Sequence, residues 1–325
     1  MSGIVMKNQT TFSAISSALS GESDDVIRVF GHLNPDSDSI CSALVVADWL
    51  NATGRAARPY RLGDLTPETR YILNAAGAPQ PALLTEPLTD KKVWLVDFTD
   101  VEQGPSTLAQ SDVVGIIDHH RIGTLITKNP PDCWIRAVGC CATIVLSLLM
   151  ADSRVVLSTA QATLLLGAIL SDTVVLTSPT TTPQDRQAVA TLRDSIGQDY
   201  DTFVSGLLRA KTSLQGQSAA QLLHRDAKQY RIHGVSLLLS QLELRDMADV
   251  APCLPALLQE AEQTRQATGL DMVVLMLTDI THRNSTLYFS ENHFIETSKI
   301  SLLGMTSRKK DILPWLTDCL AVQPG

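Results

Sequence analysis

The chain has 325 residues, 44% hydrophobic and 18% charged, enough apolar material for a full core and too ordered a composition for a disordered chain. At about 100–200 residues per domain, it has room for about two domains. Its net charge of -8 (26 Lys+Arg against 34 Asp+Glu) argues against nucleic acid as the main partner, and 5% aromatics leave few rings for stacking bases or sugars.

Residues 1–24 read as an N-terminal extension with one short helix over 12–19. They lack a basic start followed by a sustained apolar run. No segment reaches the roughly 18 apolar residues that a membrane span needs, so a cytoplasmic protein without a membrane partner is expected. The run VIRVF at 26–30 predicts a buried strand, ended by Gly31. A polar loop, HLNPDSDS, leads into a helix with Ile40, Ala43, Leu44, Ala47 and Leu50 on one face, capped by Asp38 or Ser39. A strand follows at 56–60, then a helix at 66–75 with Pro67 in its first turn and Gly77 as its stop. Strands at 93–96 and 113–117 end at Asp97 and Asp118. Buried helices are expected at 141–150 and 160–170, and another helix at 185–196. This alternation predicts an α/β fold: a mostly parallel sheet with helices on both faces.

The texture changes near Ala210. Lys211–Ser218, KTSLQGQS, reads as a hinge or linker. A helix at 219–230, a strand at 235–239, a helix at 251–268 and a strand at 272–278 make a second, smaller α/β unit. The resulting division is an extension at 1–24, a first domain at 25–210, a linker at 211–218 and a second domain at 219–325. The six cysteines include no CxxC pair, and the reading for them is buried free thiols in a reducing compartment.

Polar residues gather after the apolar elements. His32, Asp36 and Asp38 follow the first strand, Asp97 closes VWLV, Asp118-His119-His120 close VVGII, and Asp172 closes TLLLGAILS. In an open parallel sheet, ligands bind beyond the carboxyl ends of the strands, so these groups are expected to converge. Bare clustered carboxylates repel one another, and divalent cations remove that cost. Mixed His and Asp ligands without thiolates suit Mn²⁺, Co²⁺, Zn²⁺ or Fe²⁺, and a pair of such ions can activate a water against phosphorus. Each group also has a plainer reading: an Asx turn and cap at Asp36–Ser39, turns at Asp97 and at Asp118–His120, a helix end at Asp172. A negative charge at a helix C-terminus opposes the macrodipole, which favours a bound cation at Asp172. Arg308, Lys309 and Lys310 in SRKKDILP, and Lys228 in HRDAKQY, read either as solvated surface or as a phosphate clamp.

The motifs GHLNPDSDSICSA, VDFTD, IIDHHRI, VGCCATIV, LLLGAILSDTVVLTSPTTTPQDR and SRKKDILP, in this order from about Val26 onward, resemble the manganese-dependent, family II inorganic pyrophosphatases of the DHH phosphoesterase superfamily. The resemblance implies an N-terminal parallel-sheet DHH domain and a smaller DHHA2-type C-terminal domain, with the active site between them. It also implies a homodimer. It implies that His32, Asp36, Asp38, Asp97, His119 and Asp172 ligate two Mn²⁺ or Co²⁺ ions, Asp97 and Asp172 touching both. It places His120 beside the substrate phosphates and makes Lys228, Arg308 and Lys309 the phosphate-binding cations. Asp118 would orient the histidines, as carboxylates behind metal-ligating His do. The implied reaction is hydrolysis of pyrophosphate by a metal-bridged hydroxide, with a further Mg²⁺ arriving with the substrate.

Two departures stand out. The family's VDHNE is VDFTD here, so a polar ring near the site becomes Phe98, and Asp311 stands where SRKK is usually followed by Gln. They leave a short-chain exopolyphosphatase open as an alternative. A DHH nuclease is disfavoured, because the chain has no Gly-Gly pair for the glycine-rich motif such relatives carry. A catalytically silent anion-binding protein on the same fold is the remaining reading, and no vacant ligand position recommends it.

Overall fold

The computed structural model describes residues 25–214 and 216–321; the expected extension and its short helix lie outside them. The chain divides into two compact units, the first running to Ala210 without Ser178–Thr180, the second taking those three residues and the chain from Lys211. No helix among the described residues is long and apolar enough to cross a membrane.

The first unit is built on β1 (Ile27–Phe30), α1 (Ser37–Ala52), β2 (Ala57–Arg61), α2 (Pro67–Ala76), β3 (Ala82–Leu83), β4 (Lys92–Val96), β5 (Asp112–Asp118) and β6 (Asp132–Ile135). Helices α3 (Cys141–Ala151), α4 (Thr159–Asp172), α5 (Pro183–Leu192) and α6 (Tyr200–Thr212) follow. The sheet order is β3-β2-β1-β4-β5-β6, and every pairing is parallel. The chain moves from β1 outward through β2 and β3, then returns to lay β4 on the other side of β1. The strand order therefore reverses between β1 and β4, the place where such sheets bind ligands.

Alternating strand residues face two different layers. Val29, Trp94, Val96 and Ile117 pack into the core formed with α1–α6. Phe30, Val93, Leu95 and Ile116 pack into a second cluster with Leu88, Phe98 and Leu108. That second layer is a correction to the expected helices on both faces. It is made from strand residues, loops and the 3₁₀ turns Val101–Gln103 and Leu108–Gln110. The segments there, TEPLTD and FTDVEQGPSTLAQSD, are short and carry Pro and Gly, which suits turns better than a helix. Phe98 belongs to this layer: it is 1% exposed, and its ring lies 6.3 Å from that of Phe30.

The second unit contains α7 (Ala219–His224), β7 (Ala227–Ile232), β8 (Val235–Leu244), α8 (Leu254–Thr268), β9 (Met272–Asp279), β10 (Asn284–Phe289), β11 (Lys299–Leu303) and α9 (Leu313–Ala321). Its five-stranded sheet, β11-β10-β9-β8-β7, is antiparallel except for β8 against β9, which α8 joins as a crossover. One face packs on α7 and α8 and the other on α9. The helix expected at 219–230 stops at His224, and Lys228 stands on a strand. The tight His233–Gly234 turn pairs AKQYRI with the apolar run of β8, and tertiary pairing overrides local helix preference. The helix expected at 185–196 is also shorter, ending at Leu192.

Candidate metal centre

The polar ends of β1, β4 and β5 meet at the strand-order reversal. His32 follows β1, Asp97 follows β4, and His119 and His120 follow β5. Asp36 is the N-cap of α1, accepting the Ser39 N–H at 3.0 Å, and Asp38 sits in that helix's first turn. Gly31 lets the turn close: a Cβ there would lie 2.4 Å from Ser39 Oγ. Asp97 is held at φ 67°, a left-handed conformation that costs a non-glycine residue energy, while its N–H donates to Ile117 O at 2.9 Å.

The side chains converge tightly. His32 Nε2 lies 3.4 Å from Asp36 Oδ2 and 3.2 Å from Asp97 Oδ2. His119 Nε2 lies 3.1 Å from Asp97 Oδ1, 3.6 Å from Asp172 Oδ2 and 3.9 Å from Asp38 Oδ2. Asp97 thus stands between the two imidazoles, one oxygen toward each. Among the described residues, three groups each have ligand atoms within 4.8 Å of one another. Asp97 with His119 and His120, and His32 with Asp36 and Asp97, share Asp97; Asp38 with Cys140 and Asp172 is separate.

The donor set tests whether cations fit. His32 Nδ1 donates to Leu33 O at 2.7 Å, and His119 Nδ1 donates to Val138 O at 3.1 Å. In the neutral ring each Nε2 then carries a lone pair, aimed at carboxylate oxygens. Two facing lone pairs repel unless a cation lies between them, and backbone-anchored imidazoles are the usual support of metal-ligating histidines. Burial, followed by the nearby Asp97, pushes the Asp38 carboxyl up to about 7. A bound divalent ion would reverse that displacement.

The backbone prepares Asp38 for its place. The N–H groups of Cys141 and Ala142 at the start of α3 donate to it, the latter at 2.9 Å, and Ser42 adds a hydrogen bond at 2.8 Å. Buried Asp185 fixes that helix entry by accepting Gly139 N–H at 2.8 Å, Thr143 Oγ1 at 2.6 Å and Thr182 N–H at 2.7 Å. Asp172 is the last residue of α4, and the chain then turns through three left-handed residues, Val174, Val175 and Leu176. Two of them are β-branched, so this turn is strained. It is tied down by Val175 N–H to Leu170 O at 2.8 Å and by Leu176 N–H to Thr173 Oγ1 at 3.0 Å.

Asp118 is fully buried, and its Oδ1 accepts both the His120 N–H at 3.0 Å and His120 Nδ1 at 2.9 Å. Burial raises its pKa, but the neighbouring His120 and His119 outweigh that and leave it lowered. Asp118 therefore orients His120 directly, whereas Val138 O orients His119. Phe98 turns away into the core, and the two residues after it brace the segment beyond His120. Thr99 Oγ1 accepts Gly123 N–H at 2.9 Å, and Asp100 Oδ1 accepts Thr124 N–H at 3.2 Å.

In the second unit, buried Lys228 lies on β7, two residues from Asp226. Arg308 Nη1 donates to Asp226 O at 2.9 Å and pairs with its Oδ1 at 2.7 Å, so Arg308 and this end of β7 are linked. Lys309 follows in the same turn. The sequence reading missed Cys140 beside Asp38 and Asp172, Ser39 donating to Asp97 at 3.1 Å, and the Asp185 hub. All three lie in conspicuous motifs, VGCCATIV, GHLNPDSDSICSA and LLLGAILSDTVVLTSPTTTPQDR, but the motifs do not show which of their residues meet across the fold.

Comparison with known proteins agrees with this architecture. A model of the DHH family N-terminal domain matches residues 26–169, and a DHHA2 domain model matches residues 205–319. A Methanothrix thermoacetophila protein named manganese-dependent inorganic pyrophosphatase is 35% identical over 303 residues, covering 89% of this chain and 97% of the relative. A Methanococcus jannaschii structure assigned to the family II inorganic pyrophosphatases is 32% identical with a TM-score of 0.84, covering 91% of this chain and all of that one. An exopolyphosphatase-related protein from Bacteroides fragilis, 13% identical with a TM-score of 0.51, shares the fold alone. With a DHH domain followed by a DHHA2 domain and a relative 35% identical over almost its whole length, the chain belongs to the manganese-dependent inorganic pyrophosphatase family.

Proposed function

We propose that the chain hydrolyses inorganic pyrophosphate to two phosphates at a pair of Mn²⁺ or Co²⁺ ions. The observation that carries this reading is Asp97, with one carboxylate oxygen 3.2 Å from His32 Nε2 and the other 3.1 Å from His119 Nε2. His32 and Asp36 would hold one ion, Asp38 and His119 the other, and Asp97 and Asp172 would serve both. When bound, the ions would lower the pKa of a water and offset the charge of the diphosphate. His120, with Nδ1 committed to Asp118, would present Nε2 toward the leaving phosphate and supply or polarise a proton there. Lys228, Arg308 and Lys309 would neutralise the charge that spreads over the phosphate oxygens in the transition state.

The test is phosphate release from pyrophosphate, tripolyphosphate and a dinucleotide, each with Mn²⁺, Co²⁺ and Mg²⁺ after chelation. Pyrophosphate with Mn²⁺ or Co²⁺ is expected to be turned over fastest. Faster release from tripolyphosphate would replace this reading with a short-chain exopolyphosphatase. No metal-dependent release from any substrate would end it.

A further inference from the structure

The turn that carries Arg308 and Lys309 runs in an unusual register. Ser307 is its N-cap, accepting the Lys310 N–H at 3.1 Å. Residues Arg308–Ile312 then form a π-helical turn, with Ile312 N–H reaching Ser307 O at 3.1 Å, before α9 continues. In an α-helical capping box the side chain at the third helical position reaches back to the N-cap N–H. Here that position is Lys310, which has no acceptor. The wider turn brings the fourth residue round instead. Asp311 Oδ2 accepts the Ser307 N–H at 2.8 Å and the Thr306 N–H at 2.9 Å. From the other side, Gln241 on β8 donates to Thr306 O at 3.2 Å. Both ends of the stretch before Arg308 are therefore pinned, and Asp226 fixes the guanidinium itself.

We propose that Asp311 is a positioning residue: its carboxylate closes this enlarged capping box and sets the backbone from which Arg308 and Lys309 meet an anionic phosphate. The proposal rests on the reading of those two cations as phosphate ligands. A carboxylate suits the task because one oxygen takes two successive N–H groups in charge-assisted hydrogen bonds. It also explains how Asp is accommodated where the resembled family has Gln: the negative charge is spent on backbone amides rather than left facing the substrate.

The test uses the full-length, Mn²⁺-loaded protein and compares Asp311→Ala, Asp311→Asn and Lys309→Ala. Steady-state kinetics with pyrophosphate are measured alongside amide hydrogen exchange at Thr306 and Ser307. Losing two charge-assisted backbone hydrogen bonds loosens the turn that presents both cations, so Asp311→Ala is expected to raise KM by about tenfold. kcat should fall less, and exchange at both amides should accelerate. Asp311→Asn keeps an acceptor oxygen and should recover most of both. Unchanged KM and exchange in Asp311→Ala would overturn the proposal, as would an Asn variant as impaired as the Ala variant. If Lys309→Ala raises KM and Asp311→Ala does not, the proposal alone fails. If neither does, the phosphate-ligand reading has failed. Should Asp311→Ala not fold, Asp311→Glu decides, because it keeps the charge but displaces the oxygens; wild-type KM and exchange there would count against the proposal.

Discussion

The strand-end cluster of the first unit and the SRKK turn of the second are balanced in opposite ways. In the first, four carboxylates and two imidazole nitrogens face one another within a few ångströms. In the second, Arg308 already has Asp226, and Asp311 already has two backbone amides. The lesson is that the first site gathers electron-pair donors of the kind that hold cations, whereas the second holds its cationic side chains in place with a carboxylate and backbone amides of its own unit. Breaking each should therefore have different consequences.

The largest effect is expected at Asp97, which serves both halves of the cluster. Asp97→Ala should lower Mn²⁺-dependent phosphate release by roughly a thousandfold or more. It should also abolish much of the stabilisation that Mn²⁺ gives the wild type, which ligand linkage sets at about 2.7 kcal/mol for an ion at a hundred times its Kd and which is read as a rise in Tm. Metal content after gel filtration and thermal scans with and without Mn²⁺ check both. Near-normal turnover after chelation and Mn²⁺ return would remove Asp97 from the bridging role. A smaller effect is expected at Lys309. Lys309→Ala should cost about 10- to 100-fold in kcat/KM, the worth of one charge-assisted hydrogen bond, with metal content unchanged. Loss of metal in this variant would erase the contrast between the two regions.

The smallest effect lies outside both regions and calibrates them. Asp48 on α1 is pushed up to about 6 by burial, against the opposing hydrogen bond from Gln161. Its folded pKa exceeds the unfolded value of 3.8, so its contribution to stability is fully present below pH 3.8 and is lost as pH rises through about 6. Asp48→Asn should therefore raise Tm by a few degrees at pH 7.5 and change it little near pH 4. An equal shift at both pH values would show that packing, not ionisation, is responsible.

Much of the first unit could be read from its residues. Apolar runs ending in Asp97 and Asp118 placed strands and site residues together, because a parallel strand announces itself by a buried β-branched run and ends where polarity returns. Lys228 could not be placed that way. HRDAKQY has an acceptable helical composition, and only pairing with β8 makes it a strand. Phe98 could not be placed either, since one residue beyond a strand can turn to either face of the sheet; the Phe30 layer decided it.

The sequence by itself determined the inventory: two units, a parallel α/β order in the first, and the His, Asp, Arg and Lys residues with chemistry to offer. The tertiary structure decided which atoms meet. It put the strand-order reversal between β1 and β4, so that Asp97 stands between two histidines whose Nδ1 atoms are anchored to carbonyls. It brought Cys140 beside Asp38 and gave Asp311 a partner in the backbone. Local pattern reports periodicity and charge along the chain, but ligand geometry depends on strand order and helix entry, which are set by contacts between residues far apart in sequence.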